Sequence, residues 1–189
     1  EVFYRAGGLV LANALFPHGL VLNDLPATLL SRLEQSEEYA KNFVETSPLK
    51  KGDVLVIAST AGRNGFVIEC AIEARNRGVK VIGITSIPFS SGVSSRHSSG
   101  KVLADVVDLV VDDGTPVGDS SIPFDGHKCV GPISTVSGVV LVNLIMLEVM
   151  ENIRDAGVEV PIFVSGNVDG GSEINEKTLE KYRNRIFYL

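Results

Sequence analysis

Apolar positions along the chain follow two periods, and the changes from one to the other mark its elements. Val54 to Ala58 is a short, β-branched run without alternation, which predicts a strand covered on both faces. A small polar turn follows, Ser59-Thr60-Ala61-Gly62-Arg63-Asn64-Gly65. Val67, Cys70, Ala71 and Ala74 then recur at helical spacing, with Glu69, Glu73, Asn76 and Arg77 on the opposite, solvated side. Asn64 suits the N-cap of that helix and Gly78 its C′ position. Val79 to Thr85 repeats the buried-strand pattern, so the helix is a crossover between parallel strands, and such crossovers are right-handed.

The remaining segments extend the same plan. Ala27 to Thr46 gathers Leu29, Leu30, Leu33, Tyr39, Ala40, Phe43 and Val44 on one side and predicts a single helix, with Glu34, Glu37, Glu38 and Lys41 solvated. Val102 to Val111 predicts a third strand, closed by the turn Asp112-Asp113-Gly114-Thr115-Pro116. Thr135 to Arg154 is apolar almost all round, so its helix must be buried on every side, in the core or against a second subunit. Val160 to Val164 predicts a short strand, and Glu173 to Arg185 a charged terminal helix. The first six residues read as the end of a helix broken at Gly7-Gly8, which implies missing upstream residues. Leu9 to Leu25, interrupted by Asn13, Pro17, His18 and Gly19, reads as a loop packed over a core or a partner. The expected fold is one doubly wound α/β domain over residues 1–189, a mainly parallel sheet with helices on both faces in three layers, N-terminally incomplete.

Composition narrows the function classes. With 44% hydrophobic and 21% charged residues the chain is globular. A net charge of −6 argues against a nucleic-acid surface. Cys70 and Cys129 make no disulfide framework, and no stretch of about eighteen uninterrupted apolar residues predicts a membrane span. A cytoplasmic protein that needs no membrane and no cofactor is expected.

The polar turns at the carboxyl ends of the strands carry the candidate chemistry, since open α/β sheets bind ligands there. Unpaired N–H groups at the helix start attract an anion, and Ser59, Thr60, Gly62, Arg63 and Asn64 would complete a phosphate site; a tight capping turn is the plainer alternative. Thr85 and Ser86 end the second strand and would touch a sugar, or else cap the segment after it. Residues 87–100 form a polar loop with Ser90, Ser91, Ser94, Ser95, Arg96, His97, Ser98 and Ser99. His97 is the candidate acid or base, because imidazole titrates near neutral pH, or else a helix N-terminal residue hydrogen-bonded to its Ser neighbours. No metal site is expected: Asp112-Asp113 lacks a third ligand at an informative spacing, and His127-Lys128-Cys129 is too weak for zinc.

Ser59-Thr60-Ala61-Gly62-Arg63-Asn64, set between Gly52-Asp53 with its strand and the run Gly78 to Ser86, resembles the phosphosugar loop of SIS (sugar isomerase) domains, usually Ser-x-Ser-Gly-x-Thr/Asn. The resemblance spans most of the chain and is to a branch described as phosphosugar isomerases. Ala61 departs from the pattern where the loop has its second Ser. The resemblance implies a sugar phosphate ligand and aldose–ketose isomerisation. The same domain also serves as a non-catalytic phosphosugar sensor, and a lyase or etherase is a third possibility. It further implies a homodimer formed through the Thr135–Arg154 helix, with Ser134 to Ser137 near the partner's ligand site.

Overall fold

The computed structural model describes residues 1–21 and 26–188. In chain order the elements are α1 (Ala27–Leu33), α2 (Glu37–Thr46), β1 (Val54–Ala58), α3 (Gly65–Asn76), β2 (Lys80–Thr85), α4 (Ile87–Ser91), α5 (Leu103–Val106), β3 (Leu109–Asp112), β4 (Ser120–Asp125), β5 (Lys128–Pro132), α6 (Ser134–Asp155) and α7 (Gly171–Tyr182), the last followed by a 3-10 turn. They fall into two compact units, residues 16–138 and residues 1–15 with 139–189.

The larger unit contains the predicted strand–turn–helix–strand. β1, β2 and β3 form a parallel sheet in that order, with Val54 opposite Lys80 and Ile82 opposite Leu109. β2 lies in the middle and is mostly buried, as its apolar run predicts. β1 is an edge strand, and Val54 is 58% exposed, so it is not covered on both faces as expected. α3 ends at Gly78, which adopts φ +79, with Gly78 N–H bonded to the Arg75 carbonyl and Val79 N–H to that of Ala74. That Schellman arrangement turns the chain directly into β2.

α3 is buried on more than its sheet side. Phe66, Ile68, Cys70, Ala71 and Ala74 are all buried, and the Phe66 ring lies 5.3 Å from Tyr39 and 5.7 Å from Phe43 of α2. Each large aliphatic or aromatic side chain among them contributes about 1.5–3 kcal/mol. Burial, with the charge of Glu69 second, pushes the Cys70 thiol up to about 12, so it behaves as a small core residue. Arg77, expected in solvent, donates to the Leu49 carbonyl at 2.8 Å and also to that of Val44, closing the end of α2.

Several predicted elements are corrected. The single helix over 27–46 is two, because Ser36 stops α1 and its hydroxyl accepts the Tyr39 N–H at 3.1 Å as the N-cap of α2. The first part of the third strand is a helical turn, α5, and the strand begins only at Leu109. The polar loop opens with α4, and residues 120–132, for which no element was predicted, form an antiparallel hairpin turning at Gly126-His127. The first six residues make turns, not a helix end. Residues 22–25 of the Leu9–Leu25 loop lie outside the described residues.

In the smaller unit, residues 160–164 are not a strand but make one antiparallel bridge, Leu9 to Ile162. Val10, Phe163 and Ile186 form its core, with Leu179 and Tyr188 packed against it. α6 begins in the larger unit and continues in the smaller, and none of its residues is buried, where burial all round was expected. By length and composition alone it is long and apolar enough to cross a membrane, although no eighteen-residue run of it is uninterruptedly apolar. Asn143, Glu148 and Glu151 interrupt that run.

Candidate functional site

The turn from β1 to α3 has its carbonyls tied back and its N–H groups free. The carbonyl of Thr60 accepts Ser86 N–H at 2.9 Å and the Thr85 hydroxyl at 3.0 Å; those of Gly62 and Arg63 accept Leu103 N–H and Arg96 N–H, each at 2.8 Å. Among the described residues, no protein acceptor takes the N–H groups of residues 60–65. Gly62 holds φ +58, the left-handed geometry that lets successive N–H groups converge on an anion. It is also the only residue type that fits: a Cβ there would stand 2.8 Å from Thr85 Oγ1 and 3.2 Å from Leu103 Cβ.

Around this turn the structure brings together most of the expected site residues. Ser59 and Thr60 are half-buried at its start. Arg63 donates to Ser94 Oγ at 3.2 Å, while its buried Nε has no partner. Asn64 stands at the N-cap position, but its side chain makes no capping bond. Its amide instead donates to Glu34 at 3.0 Å and accepts from Arg96 at 2.9 Å. Thr85 and Ser86 are fully buried behind the turn. The Ser86 hydroxyl donates to the Thr115 carbonyl at 2.5 Å and accepts Phe89 N–H at 3.0 Å, so it caps α4.

His97 sits in a buried cluster that sequence reasoning did not assemble. Its Nε2 is 2.7 Å from Glu69 Oε2 and 3.6 Å from Glu37 Oε2, and its Nδ1 is 2.8 Å from Ser99 Oγ. Glu69, assigned to the solvated side of α3, is buried, because that side faces α2 and the 92–101 segment. Lys41 pairs with its other oxygen at 3.3 Å. The hydroxyl and N–H of Ser98 bond to Glu37 and hold its carboxyl below the usual range. Arg96, next to His97, joins this cluster's loop to the phosphate turn through Asn64. The one signal of this arrangement in the sequence was the density of polar residues from 90 to 99.

A cleft of about 510 Å³ lies elsewhere, lined by Arg75, Lys80, Asp105 and Asp108 among others, and contains none of the expected site residues. Arg75 and Lys80 are each 3.4 Å from Asp108 there, a paired surface network. The hydrogen bond from Val81 N–H, with the two cations, keeps the Asp108 carboxyl below its ordinary value.

A family model described as SIS domain matches residues 1–86, which contain the whole turn from β1 to α3 and both flanking strands. Curated relatives extend the likeness to the full chain. The UPF0309 protein of Shouchella clausii is 43% identical over 190 residues, covering 100% of this chain and 77% of that protein. The UPF0309 protein of Streptomyces coelicolor is 43% identical, over 100% of this chain and 76% of its own. That of Caldanaerobacter subterraneus is 39% identical, over 100% and 78%. The chain belongs to the UPF0309 family. Its SIS domain points to phosphosugar binding. In this UPF0309 chain the turn with six free N–H groups lies within the residues matched by the SIS domain model.

Proposed function

We propose that the chain binds a sugar phosphate at residues 59–64 and interconverts an aldose and a ketose phosphate. The observation that carries the binding part is the set of free N–H groups at residues 60–65, at the positive end of the α3 dipole. In this reading the Ser59 and Thr60 hydroxyls add donors and the unpartnered Arg63 Nε supplies charge. Gly62 shapes the nest, and Asn64, held by Glu34 and Arg96, fixes the far end. Ala61 supplies only its N–H. Thr85 and Ser86 act from behind, because their buried hydroxyls already bond the backbone of Thr60 and Thr115.

Isomerisation requires a base that reaches a proton on the carbon next to the carbonyl. His97 was the candidate from sequence, yet its ring is buried with both nitrogens engaged, so we read it as support for the loop. Glu34, half-buried and one hydrogen bond from Asn64, is the carboxylate beside the turn. A second reading, a sensor that binds without turnover, is favoured by Ala61 and by the engagement of His97. Incubation with aldose phosphates in D₂O separates the two. An isomerase exchanges the C2 proton with solvent and forms ketose; a sensor binds and leaves that proton in place. Ser59→Ala with Thr60→Val should weaken binding by about 3 kcal/mol, roughly 100-fold, as two bonds to a charged group are lost. Unchanged affinity would remove the loop from the site.

The doubly wound, three-layer fold and the homodimer belong to the same proposal. Val54 and Leu109, 58% and 55% exposed on β1 and β3, are apolar sheet positions of the kind a further layer covers. α6 exposes Val136, Val140, Leu144 and Leu147, the kind of face that a second copy buries. Two free thiols suit a reducing cytoplasm, where sugar phosphates are made.

A further inference from the structure

The His97 cluster gathers two carboxylates around one buried imidazole nitrogen. Ser99 holds the far side of the ring, with its Oγ 2.8 Å and its N 3.1 Å from Nδ1. Glu37 and Glu69 both face Nε2. Among the described residues the cation bonded to the cluster is Lys41, on the outer oxygen of Glu69, with half its side chain in solvent. The side chains of His97 and Glu69 are only 4% and 7% exposed, and that of Glu37 27%. Buried carboxylates are held by polar partners or by a metal.

We propose that Glu37, Glu69 and His97 bind one divalent transition-metal ion of the zinc type. One ligand atom from each residue lies within 4.8 Å of the other two. One imidazole nitrogen and carboxylate oxygens are donors that Zn²⁺ and Co²⁺ accept. Tetrahedral ligands about 2.0–2.1 Å from an ion stand about 3.3 Å apart. The Glu37–His97 separation of 3.6 Å already suits that spacing, and the 2.7 Å Glu69–His97 contact widens as the ion takes the place of the bridging proton. With Nε2 ligating the ion, the ring would carry its proton on Nδ1, where Ser99 Oγ, 2.8 Å away, takes the place of Ser99 N–H as partner. An outer partner is also in place, Ser98 on both oxygens of Glu37. The ligands come from α2, α3 and the 92–101 loop, so the ion would clip the loop that holds Asn64 to both helices. The metal site stands independently of the phosphosugar reading.

The test uses the full chain with Cys129→Ser, which removes the exposed His127-x-Cys129 donor pair, after treatment with a chelator. Titration with Zn²⁺ alone should give one ion per chain and a rise in Tm. Co²⁺ alone should give the visible absorption of a tetrahedral site. Glu69→Gln and, as the variant least prone to misfold, Glu37→Gln should each weaken Zn²⁺ binding at least tenfold, with the far-UV CD unchanged. Lys41→Met should tighten it, since a competing cation is gone; a merely structural salt bridge would instead lose stability and bind no ion. Absence of 1:1 binding, or binding that survives in both glutamate variants, overturns the proposal.

Discussion

Gly62 concentrates the geometry of the phosphate turn in one residue. Its φ of +58 and the 2.8 Å approach a Cβ would make to Thr85 Oγ1 leave no room for a side chain without moving β2 or α5. Gly62→Ala should therefore destabilise the fold by about 1–3 kcal/mol in denaturant unfolding and weaken phosphate binding in the fraction that folds. Stability and affinity equal to the wild type would show that the turn is not held as described. At this scale the sequence was legible where backbone conformation decides, as at Gly78. It was misleading where packing on a second face decides. Glu69 looked solvated because a single apolar stripe was assumed for α3, yet the α2 side is filled as well. Asn64 has the right type and place for a cap, but Glu34 and Arg96 offer its amide better partners than the helix does.

Among the elements, the start of α6 makes the sharpest prediction. The Asp119 carboxylate accepts Ile133 N–H at 3.1 Å, Ser134 N–H at 2.8 Å and the Ser134 hydroxyl at 2.8 Å. Partial burial pushes its pKa up, but these three bonds outweigh it and hold the carboxyl below its ordinary value. A carboxyl depressed by folding contributes stability that is complete above its unfolded pKa, about 3.9, and is lost as pH falls through the lower folded value. Asp119→Asn, which tolerates the φ of +67 at this residue, should lower stability at neutral pH by about 1 kcal/mol. The difference from wild type in thermal unfolding should shrink below about pH 4. A difference independent of pH would contradict the ionised cap. β2, α3 and the length of α6 were legible because long periodic runs and terminal glycines specify them. The break at Ser36 and the β4–β5 hairpin carried signals too, a Ser before Glu37-Glu38 and the Asp125-Gly126 turn, but apolar runs on either side outweighed them. α5 was not legible, because Val102 to Val107 is rich in β-branched residues and reads as strand.

For the whole molecule, the parallel order β1-β2-β3 follows from the βα repeat, whereas no local pattern says what the exposed apolar positions of β1, β3 and α6 pack against. An apolar helix records that it must be covered and not by which partner. If a second copy covers α6, sedimentation should give a dimer that Leu147→Arg converts to monomer with its secondary structure intact. A wild-type monomer, or partition of the chain into lipid vesicles, would contradict the dimer. The central claim remains the turn with free amides, and ¹H–¹⁵N spectra of the labelled chain during titration with a panel of sugar phosphates, their free sugars and inorganic phosphate test it most directly. The account predicts that the amides of residues 60–65 move first and furthest with a sugar phosphate, and not at all with the matching free sugar. Saturable binding that leaves those amides unmoved, or no binding by any phosphate, would contradict it.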